Sequence, residues 1–259
     1  MTFSRLYHAA ATAVQFLTRV PVPGGMNRPD ADRSLLRSAV VFFPAVGGLI
    51  GLTTATVIWL GLQVWPPPIA VGLGLLIEAI LTGGFHEDAV ADCCDAFGGG
   101  WTREDVLRIL KDSRIGSFGG LGLLLAVGLR AASLLAIDPA HVIIVVVASA
   151  TIGRLAILLL MAFVPPVPNR EGLAKDIGER IGWRTVVAGS LLAIPGVITY
   201  SWIEPVRCAC AMGCVVVVVF GWGRYVRHRI GGITGDCLGA GCYLAQVVVL
   251  LVAAAQPFP

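Results

Sequence analysis

The stretch His141–Val164 reads HVIIVVVASATIGRLAILLLMAFV and holds one basic residue, Arg154, among apolar and small side chains. A helix needs roughly 20 predominantly apolar residues to cross the hydrocarbon core of a bilayer. Backbone polar groups in hydrocarbon must be satisfied within the element, and a membrane barrel would use alternating strands of only about ten residues. The stretch therefore predicts a transmembrane α-helix.

Apolar blocks of this kind recur along the chain. Hydrophobic residues make up 56% of the sequence and charged residues only 14%, whereas soluble domains carry roughly 25% charged residues. We therefore predict an all-α, polytopic helical membrane bundle of about seven transmembrane helices, built as a single integral membrane domain over residues 1–259. The remaining predicted spans are Ser38–Leu62, Pro66–Gly84, Phe118–Ile137, Thr185–Ile203, Cys208–Trp222 and Cys237–Ala255.

The N-terminal stretch Met1–Pro23 has one Arg near its start and an apolar run, but no small-residue cleavage site before a hydrophilic segment. We expect it to be a retained interfacial helix. If the first span leaves the side that holds the N-terminus, the basic residues gather in the loops of that side. The positive-inside rule then places the N-terminus and these loops in the cytoplasm and the C-terminus outside. The loops are 1–37, 85–117, 165–184 and 223–236, and only Arg130, Arg154 and Arg207 fall elsewhere.

An acidic segment, GGFHEDAVADCCDAFGGG over Gly83–Gly100, follows the second predicted span. Asp88, Asp92 and Asp95 are spaced i, i+4, i+7, so a continuing helix would place them on one face. Stacked like charges repel, by about 3 kcal/mol for two carboxylates roughly 6 Å apart at an effective dielectric near 20, so the stripe indicates a compensating cation. Carboxylate oxygens suit Mg²⁺ or Mn²⁺. The alternative is a solvated helix end paired with nearby Arg.

Two further segments indicate phosphate contact. In the first, Arg108, Lys111 and Arg114 recur three apart, and glycines follow at the start of the next span; backbone N–H groups at a helix start bind phosphate. Topological charge bias alone is the competing explanation. In the second, GGITGDCLGA over Gly231–Ala240, glycines allow a close backbone approach to phosphate. There Thr234 or Asp236 serves equally well as a helix cap.

Charges also occur inside the predicted spans, where each costs roughly 2.5–3.5 kcal/mol if it lies near the helix centre. Such residues are functional or paired. Arg154 is the candidate for a phosphate or a carboxylate partner, and Glu78 is the partner that we predict for it. His86, at the membrane interface, is a weaker candidate for substrate contact.

Taken in order, these motifs resemble the cobalamin synthase family, the adenosylcobinamide-GDP ribazoletransferases. The resemblance covers nearly the whole chain, including Glu171–Leu173, which is similar to a central E-G-L of the family. Two positions depart from the pattern, since Ala89 replaces a usual Gly and Glu87 a usual apolar residue. The segments that carry the resemblance are FLTRVPVP (Phe16–Pro23), FFPAVGGLIG (Phe42–Gly51), TGGFHEDAVADCCD (Thr82–Asp95), KDSRIGSFGG (Lys111–Gly120) and GGITGDCLGA (Gly231–Ala240).

The resemblance implies a Mg²⁺-dependent transferase of a prokaryotic cytoplasmic membrane. In that reaction α-ribazole or its 5′-phosphate attacks adenosylcobinamide-GDP, giving adenosylcobalamin or its phosphate and GMP. No nucleic-acid partner is expected, and association with other corrinoid-pathway enzymes and the oligomeric state stay open. The implied metal ligands are Asp88, Asp92 and Asp95; the implied catalytic residues are Lys111, Arg114 and either Asp92 or Asp112; the implied substrate-binding residues are His86, Arg108, Arg154, Gly231, Gly232, Thr234 and Asp236.

Two other classes share parts of this pattern. CDP-alcohol phosphotransferases and membrane prenyltransferases also bind Mg²⁺-diphosphate through Asp residues at helix ends. The chain lacks the Arg that the first class places after its aspartates, and it lacks the second aspartate-rich loop of the other. A membrane transporter is the non-enzymatic alternative, but its internal repeats are not evident here.

Overall fold

Helices make up nearly all the regular secondary structure of the computed structural model, which describes residues 3–23, 33–168 and 181–256. Within these residues, an isolated parallel bridge between Pro166 and Ile233 is the one β contact. The helices are α1 (Phe3–Leu17), α2 (Arg33–Ala39), α3 (Phe43–Gly61), α4 (Pro67–Thr82), α5 (Phe85–Gly99), α6 (Arg103–Ile109), α7 (Ser117–Ala136), α8 (Val142–Phe163), α9 (Trp183–Ile203), α10 (Pro205–Ile230) and α11 (Gly235–Ala254).

Six continuous helical stretches of the described chain are long and apolar enough to cross a bilayer: Leu35–Gly61 and the helices α7 to α11. The predicted second span is different. The helix α4 has 16 residues, about 24 Å at 1.5 Å per residue, and α5 follows it after a bend of 89°. Counting this bent pair as one span gives up to seven, which confirms the predicted polytopic all-α bundle.

The acidic segment does not continue the second span as one straight helix but begins a separate helix, α5, which contains all three aspartates. Gly83 and Gly84 adopt left-handed backbone angles, with φ of 76° and 68°, and they separate α4 from α5. Apolar composition cannot reveal such a break, because a double glycine is tolerated within a membrane helix as well as at its end. The carboxylates of α5 therefore lie on a helix turned across the end of the bundle.

The helices α8 and α11 form the centre of the bundle. Their apolar stretches are 72% buried, against 17% to 28% for α7, α9 and α10, which leave wide faces for lipid. Small residues let the central helices approach closely: a Cβ added at Gly51 of α3 would lie 2.7 Å from the Ala150 Cβ of α8. This close approach is typical of helix packing in membranes, where small residues occupy the interfaces.

The helix α10 extends eight residues beyond the predicted span Cys208–Trp222, to Ile230. The prediction ended where the basic residues begin, but charge marks the edge of the apolar region and not the end of a helix. Gly231 ends α10 instead, since its φ is 80° and its N–H donates to the Arg227 carbonyl at 2.9 Å.

Contacts between loops define two ends of the bundle. At one end, which we call the acidic end, Arg229 donates to the Gly100 carbonyl at 2.7 Å and Arg103 to the Ile230 carbonyl at 3.0 Å. These bonds tie the α5–α6 connection to the end of α10. At the opposite end, Arg207 donates to the Ala255 carbonyl at 3.3 Å. The last described helix therefore ends opposite the acidic segment.

The N-terminal stretch forms the predicted helix. With 15 residues, α1 is shorter than the roughly 20 that a span needs. Its buried side, which includes Ala13 and Leu17, packs against the bundle. After it, the backbone N–H of Arg19 donates to the Leu81 carbonyl at 2.7 Å, which fixes the end of α1 beside the end of α4.

Replacing Gly51 by Val should destabilise the bundle by about 1–3 kcal/mol, because the added atoms would press against α8. Gly72→Val is the matched control, since a Cβ at Gly72 meets nothing within 4 Å. Thermal unfolding of the purified variants in detergent measures the difference. Equal melting temperatures for the two variants would contradict the close α3–α8 contact.

Candidate active site

The bend between α4 and α5 is held from outside by Arg19. Its guanidinium lies so close to Gly83 that a Cβ there would overlap the Arg19 Nε. Gly83 is favoured by its left-handed backbone, and the Arg19 guanidinium fills the space where a side chain would lie. The bend places the first turn of α5, including Asp88, beside Arg19.

The three predicted metal-binding carboxylates differ in their surroundings. Asp88 is exposed, whereas Asp92 and Asp95 are half-buried. The Asp95 carboxylate accepts hydrogen bonds from the N–H groups of Gly116 and Gly119, both at 2.7 Å. These groups belong to the first turn of α7, so Asp95 caps that helix and is favoured by its dipole. This structural role of Asp95 was not predicted from the sequence, because the N–H groups that it binds lie more than 20 residues away.

Asp236 comes close to the acidic helix through a cysteine pair. The thiols of Cys93 on α5 and Cys237 on α11 lie side by side. Asp92 directly precedes Cys93, and Asp236 directly precedes Cys237. The contact between the two cysteines therefore brings the backbones of the two aspartates near each other. The structure thus places Asp236, at the start of α11, beside α5, although the two segments lie far apart in the sequence.

A cavity of about 580 Å³ opens at the acidic end between α1, the α4–α5 bend and the start of α7. Its wall carries one cation, Arg19, and two carboxylates, Glu87 and Asp88. Arg19 was not singled out as a site residue from the sequence, although it lies within the motif FLTRVPVP. The lining residues are Gln15, Phe16, Thr18, Arg19, Thr82, Gly83, Gly84, Phe85, Glu87, Asp88, Ala91, Ile115 and Leu123.

The basic loop reaches this cavity through Ile115, but its cations do not share a helical face, because α6 ends at Ile109. Arg114 donates to Asp112 at 2.9 and 2.7 Å. These bonds lower the pKa of the Asp112 carboxyl to about 2. Asp112 is therefore ionised at neutral pH and is a weak proton acceptor there.

The arginine that pairs with Glu78 is Arg130 and not Arg154, so the predicted Glu78–Arg154 pair is wrong. Arg130 Nη2 lies 2.7 Å from Glu78 Oε2, and both side chains are 4% exposed. Thr54 also donates to Glu78 at 2.8 Å. The sequence could not choose between the two arginines, because both lie inside apolar spans and only the packing of α4 against α7 decides.

Arg130 also contacts Glu87, with its Nη1 3.5 Å from Glu87 Oε1. Glu87 occupies a position where the resembled family usually has an apolar residue. Here it has a cation beside it, which explains why a carboxylate is tolerated at this depth. Arg130 on α7 thus contacts carboxylates on both sides of the α4–α5 bend.

Arg154 and His86, both predicted to contact substrate, lie in the interior. Arg154 is fully buried and donates to the Gln246 Oε1 at 3.0 Å. His86 is 2% exposed. Among the described residues, the His86 Nε2 and the Arg154 Nε and Nη2 have no hydrogen-bond partner. Their predicted substrate contact stays a prediction.

Three residues of the segment Gly231–Asp236 have structural functions: Gly231, Gly232 and Thr234. Gly231 ends α10, and Gly232 packs so tightly that an added Cβ would lie 2.7 Å from the Pro165 carbonyl. Thr234 caps α11 by accepting from the Cys237 N–H at 3.3 Å. Capping by Thr234 is one of the two alternatives that the sequence left open.

Carboxylates of the acidic end match the oxygen donors that Mg²⁺ prefers. Within residues 3–23, 33–168 and 181–256, however, no group of three or more His, Cys, Asp or Glu side chains is arranged to hold a metal ion. Each Asp95 oxygen accepts one N–H and keeps a second lone pair. The carboxylate oxygens are therefore of the chemical type that binds Mg²⁺. The E-G-L segment Glu171–Leu173 lies outside the described residues.

The fold and the site together define a polytopic helical membrane protein with a carboxylate- and arginine-lined cavity at one end of its bundle. Residues 9–254 match the model of the CobS family, cobalamin-5-phosphate synthase. The chain belongs to this family, whose members are transferases.

Curated relatives of the same length support this assignment, and all three below are named adenosylcobinamide-GDP ribazoletransferase. The relative from Ralstonia pickettii (strain 12J) is 36% identical over 94% of both chains. That from Leptothrix cholodnii is 34% identical over 92% of both. That from Shewanella baltica (strain OS155) is 35% identical over 93% of this chain and 91% of its own. No solved structure matches the chain.

Replacing Glu78 by Leu should destabilise the protein by about 3–5 kcal/mol, because Arg130 would keep a buried charge without its closest partner. The double variant Glu78→Leu/Arg130→Met should recover part of this loss. Thermal unfolding in detergent provides the measurement. Recovery by Glu78→Leu/Arg154→Met, with none by the Arg130 double variant, would favour the rejected pair instead.

Proposed function

We propose that the protein joins adenosylcobinamide-GDP to α-ribazole or its 5′-phosphate and releases GMP. The observation that supports this most directly is the cavity at the acidic end, where Arg19 faces the carboxylates of α5. Family membership and the names of the relatives point to the same reaction, and they favour it over the phosphotransferase, prenyltransferase and transporter alternatives.

In this reaction a ribose hydroxyl oxygen attacks the phosphorus atom that stays with the corrinoid. A new P–O bond forms, the bridging P–O bond of the diphosphate breaks, and GMP leaves with the bridging oxygen. The hydroxyl proton passes to a carboxylate. Such phosphoryl transfer needs positioning and charge stabilisation more than covalent help from the protein.

The described residues suit these tasks. Arg19 is exposed in the cavity and supplies a guanidinium for the diphosphate. Lys111 and Arg114 lie in the loop that enters the cavity at Ile115, and they would stabilise the leaving phosphate. Asp92 is the better proton acceptor of the two candidates, because pairing with Arg114 lowers the pKa of Asp112 to about 2 and makes that carboxylate a weak base.

Magnesium is the proposed cofactor, held by Asp88 and Asp92 with Asp95 as a third ligand. A bound Mg²⁺ would neutralise charge on the diphosphate. Support comes from the helical spacing of the three carboxylates along α5 and from their oxygen-donor chemistry.

The proposed setting is the cytoplasmic membrane of a prokaryote, with the acidic end and the N-terminus in the cytoplasm. The basic residues of the described loops gather at the acidic end, as in Arg103, Arg108 and Arg229, and the positive-inside rule assigns such an end to the cytoplasm. The C-terminal end of α11 would then face outward.

The direct test is GMP release from adenosylcobinamide-GDP and α-ribazole phosphate by the protein in liposomes. Asp92→Asn should lower the rate by at least about 100-fold, since a general base contributes roughly 10²–10⁴. Arg19→Gln should lower it about 10-fold or more, as expected for a lost charged hydrogen bond. Arg207→Gln, at the opposite end, is the control.

EDTA should abolish release, and Asp88→Asn should raise the Mg²⁺ concentration needed for half-maximal rate.

No GMP release by a folded wild-type protein would reject the proposed reaction. Release that survives in Asp92→Asn would remove that residue from the site, and a wild-type rate in Arg19→Gln would remove Arg19.

The pH dependence separates the two proton-acceptor candidates. With the pKa of Asp112 held at about 2, its pairing with Arg114 is present at neutral pH and is lost only as the pH falls toward that value. When the pH–rate profile is measured between roughly pH 5 and 9, Asp112→Asn should therefore have the same acid-limb midpoint as the wild type. A shifted or missing acid limb in this variant would identify Asp112 as the base.

A further inference from the structure

A second and larger cavity lies between α8 and α10, and its lining residue Tyr225 packs against Phe97 near the end of α5. It has a volume of about 1190 Å³, and we call it the α8–α10 groove. Its walls are apolar over most of their length, and Phe163 and Phe220 are 60% and 64% exposed there. Large exposed apolar surfaces of this kind are normal on the lipid-facing side of a membrane protein. A groove of this volume can in addition hold the acyl chain of a single lipid.

One mouth of the groove is basic. Arg224, Arg227 and His228 line it, and their i, i+3, i+4 spacing places them on one face of α10. The helix has 26 residues, about 39 Å at 1.5 Å per residue, against a hydrocarbon core of about 30 Å. The last turns of α10 therefore extend past the core, so the basic mouth lies at the depth of the lipid headgroups.

The cations of this mouth are available for a ligand. Arg229, on another face, is engaged with the Gly100 carbonyl and the Tyr225 hydroxyl. The side chains of Arg224 and Arg227, by contrast, make no hydrogen bond or ion pair with any residue of the described ranges. These two guanidinium groups, unengaged by the described part of the chain and at headgroup depth, complement a phosphate.

Two glycines of α10, Gly221 and Gly223, line the groove. Gly223 sits against α8, where an added Cβ would lie 3.0 Å from both Leu160 and Val164. Gly221 faces open space, and a Cβ there would meet nothing within 4 Å. A side chain at Gly221 would therefore enter the groove without disturbing the contact between α8 and α10.

We infer that the α8–α10 groove binds one anionic phospholipid, with its phosphate on Arg224 and Arg227 and an acyl chain against Phe163 and Phe220. The combination of an apolar channel with a basic mouth at headgroup depth matches both parts of such a lipid. Binding would also hold the end of α10, whose Arg229 fastens the α5–α6 connection of the acidic end. The site is separate from the cavity at Arg19 and does not depend on the proposed reaction.

Native mass spectrometry and thermal unfolding of the detergent-purified full chain test this inference. Phosphatidylglycerol should bind and raise the melting temperature, whereas phosphatidylcholine with the same acyl chains and inorganic phosphate should not. Arg224→Gln/Arg227→Gln should weaken phosphatidylglycerol binding about 30-fold, because each basic residue contributes roughly a factor of five. Arg5→Gln/Arg184→Gln removes the same charge elsewhere and should bind as the wild type does.

Gly221→Leu should block binding by filling the groove, and Gly213→Leu is its control on the same helix, since a Cβ at Gly213 also meets open space. This pair keeps the test decisive if the double arginine variant fails to fold. Equal binding of both lipids, or phosphatidylglycerol binding unaffected by Gly221→Leu, would overturn the inference. Stabilisation by inorganic phosphate alone would also overturn it, by assigning the basic mouth to a soluble anion.

Discussion

Arg130 contacts carboxylates on both sides of the break that turns the second span across the end of the bundle. It bonds Glu78 on α4 and approaches Glu87 on α5, and its own helix begins at the turn that Asp95 caps. A buried charge of this kind is stable only while its partners stay in place. Arg130 therefore couples the bend to the orientation of α5, and Asp95 couples α5 to the start of α7. The cavity beside Arg19 is lined by residues of all three parts.

The candidate site is assembled from segments that are remote in sequence. Arg19 comes from the end of α1, the carboxylates from α5, the basic loop from the approach to α7, and Asp236 from the start of α11. Hydrogen bonds from the side chains of Arg103 and Arg229 to backbone carbonyls fasten the α5–α6 connection to α10. Residues that a phosphoryl transfer needs are thus carried on helix ends, where backbone groups and charges meet water, while the helix interiors supply the rigid frame.

Much of the candidate site could be predicted because its motifs are local. The i, i+4, i+7 spacing of the aspartates and the order of the motifs were enough to indicate the family and the acidic end. What failed was the assignment of partners across helices. Glu78 was given Arg154, Asp95 was treated only as a ligand, and Arg19 was overlooked. Each of these depends on which helix faces which, and two arginines in equally apolar spans are indistinguishable until the helices pack.

The sequence by itself determined that the chain is a helical membrane protein, because long apolar blocks must satisfy their backbone groups internally in lipid. It also determined the approximate spans and the concentration of charge at one end. Only the tertiary structure decided that Gly83 and Gly84 break the second span, since the same residues are compatible with a straight helix. It also decided that Arg130 braces this break and that α10 continues past its apolar part. Local composition records which residues prefer lipid, whereas the direction of a helix and the partner of a buried charge are set by contacts between distant segments.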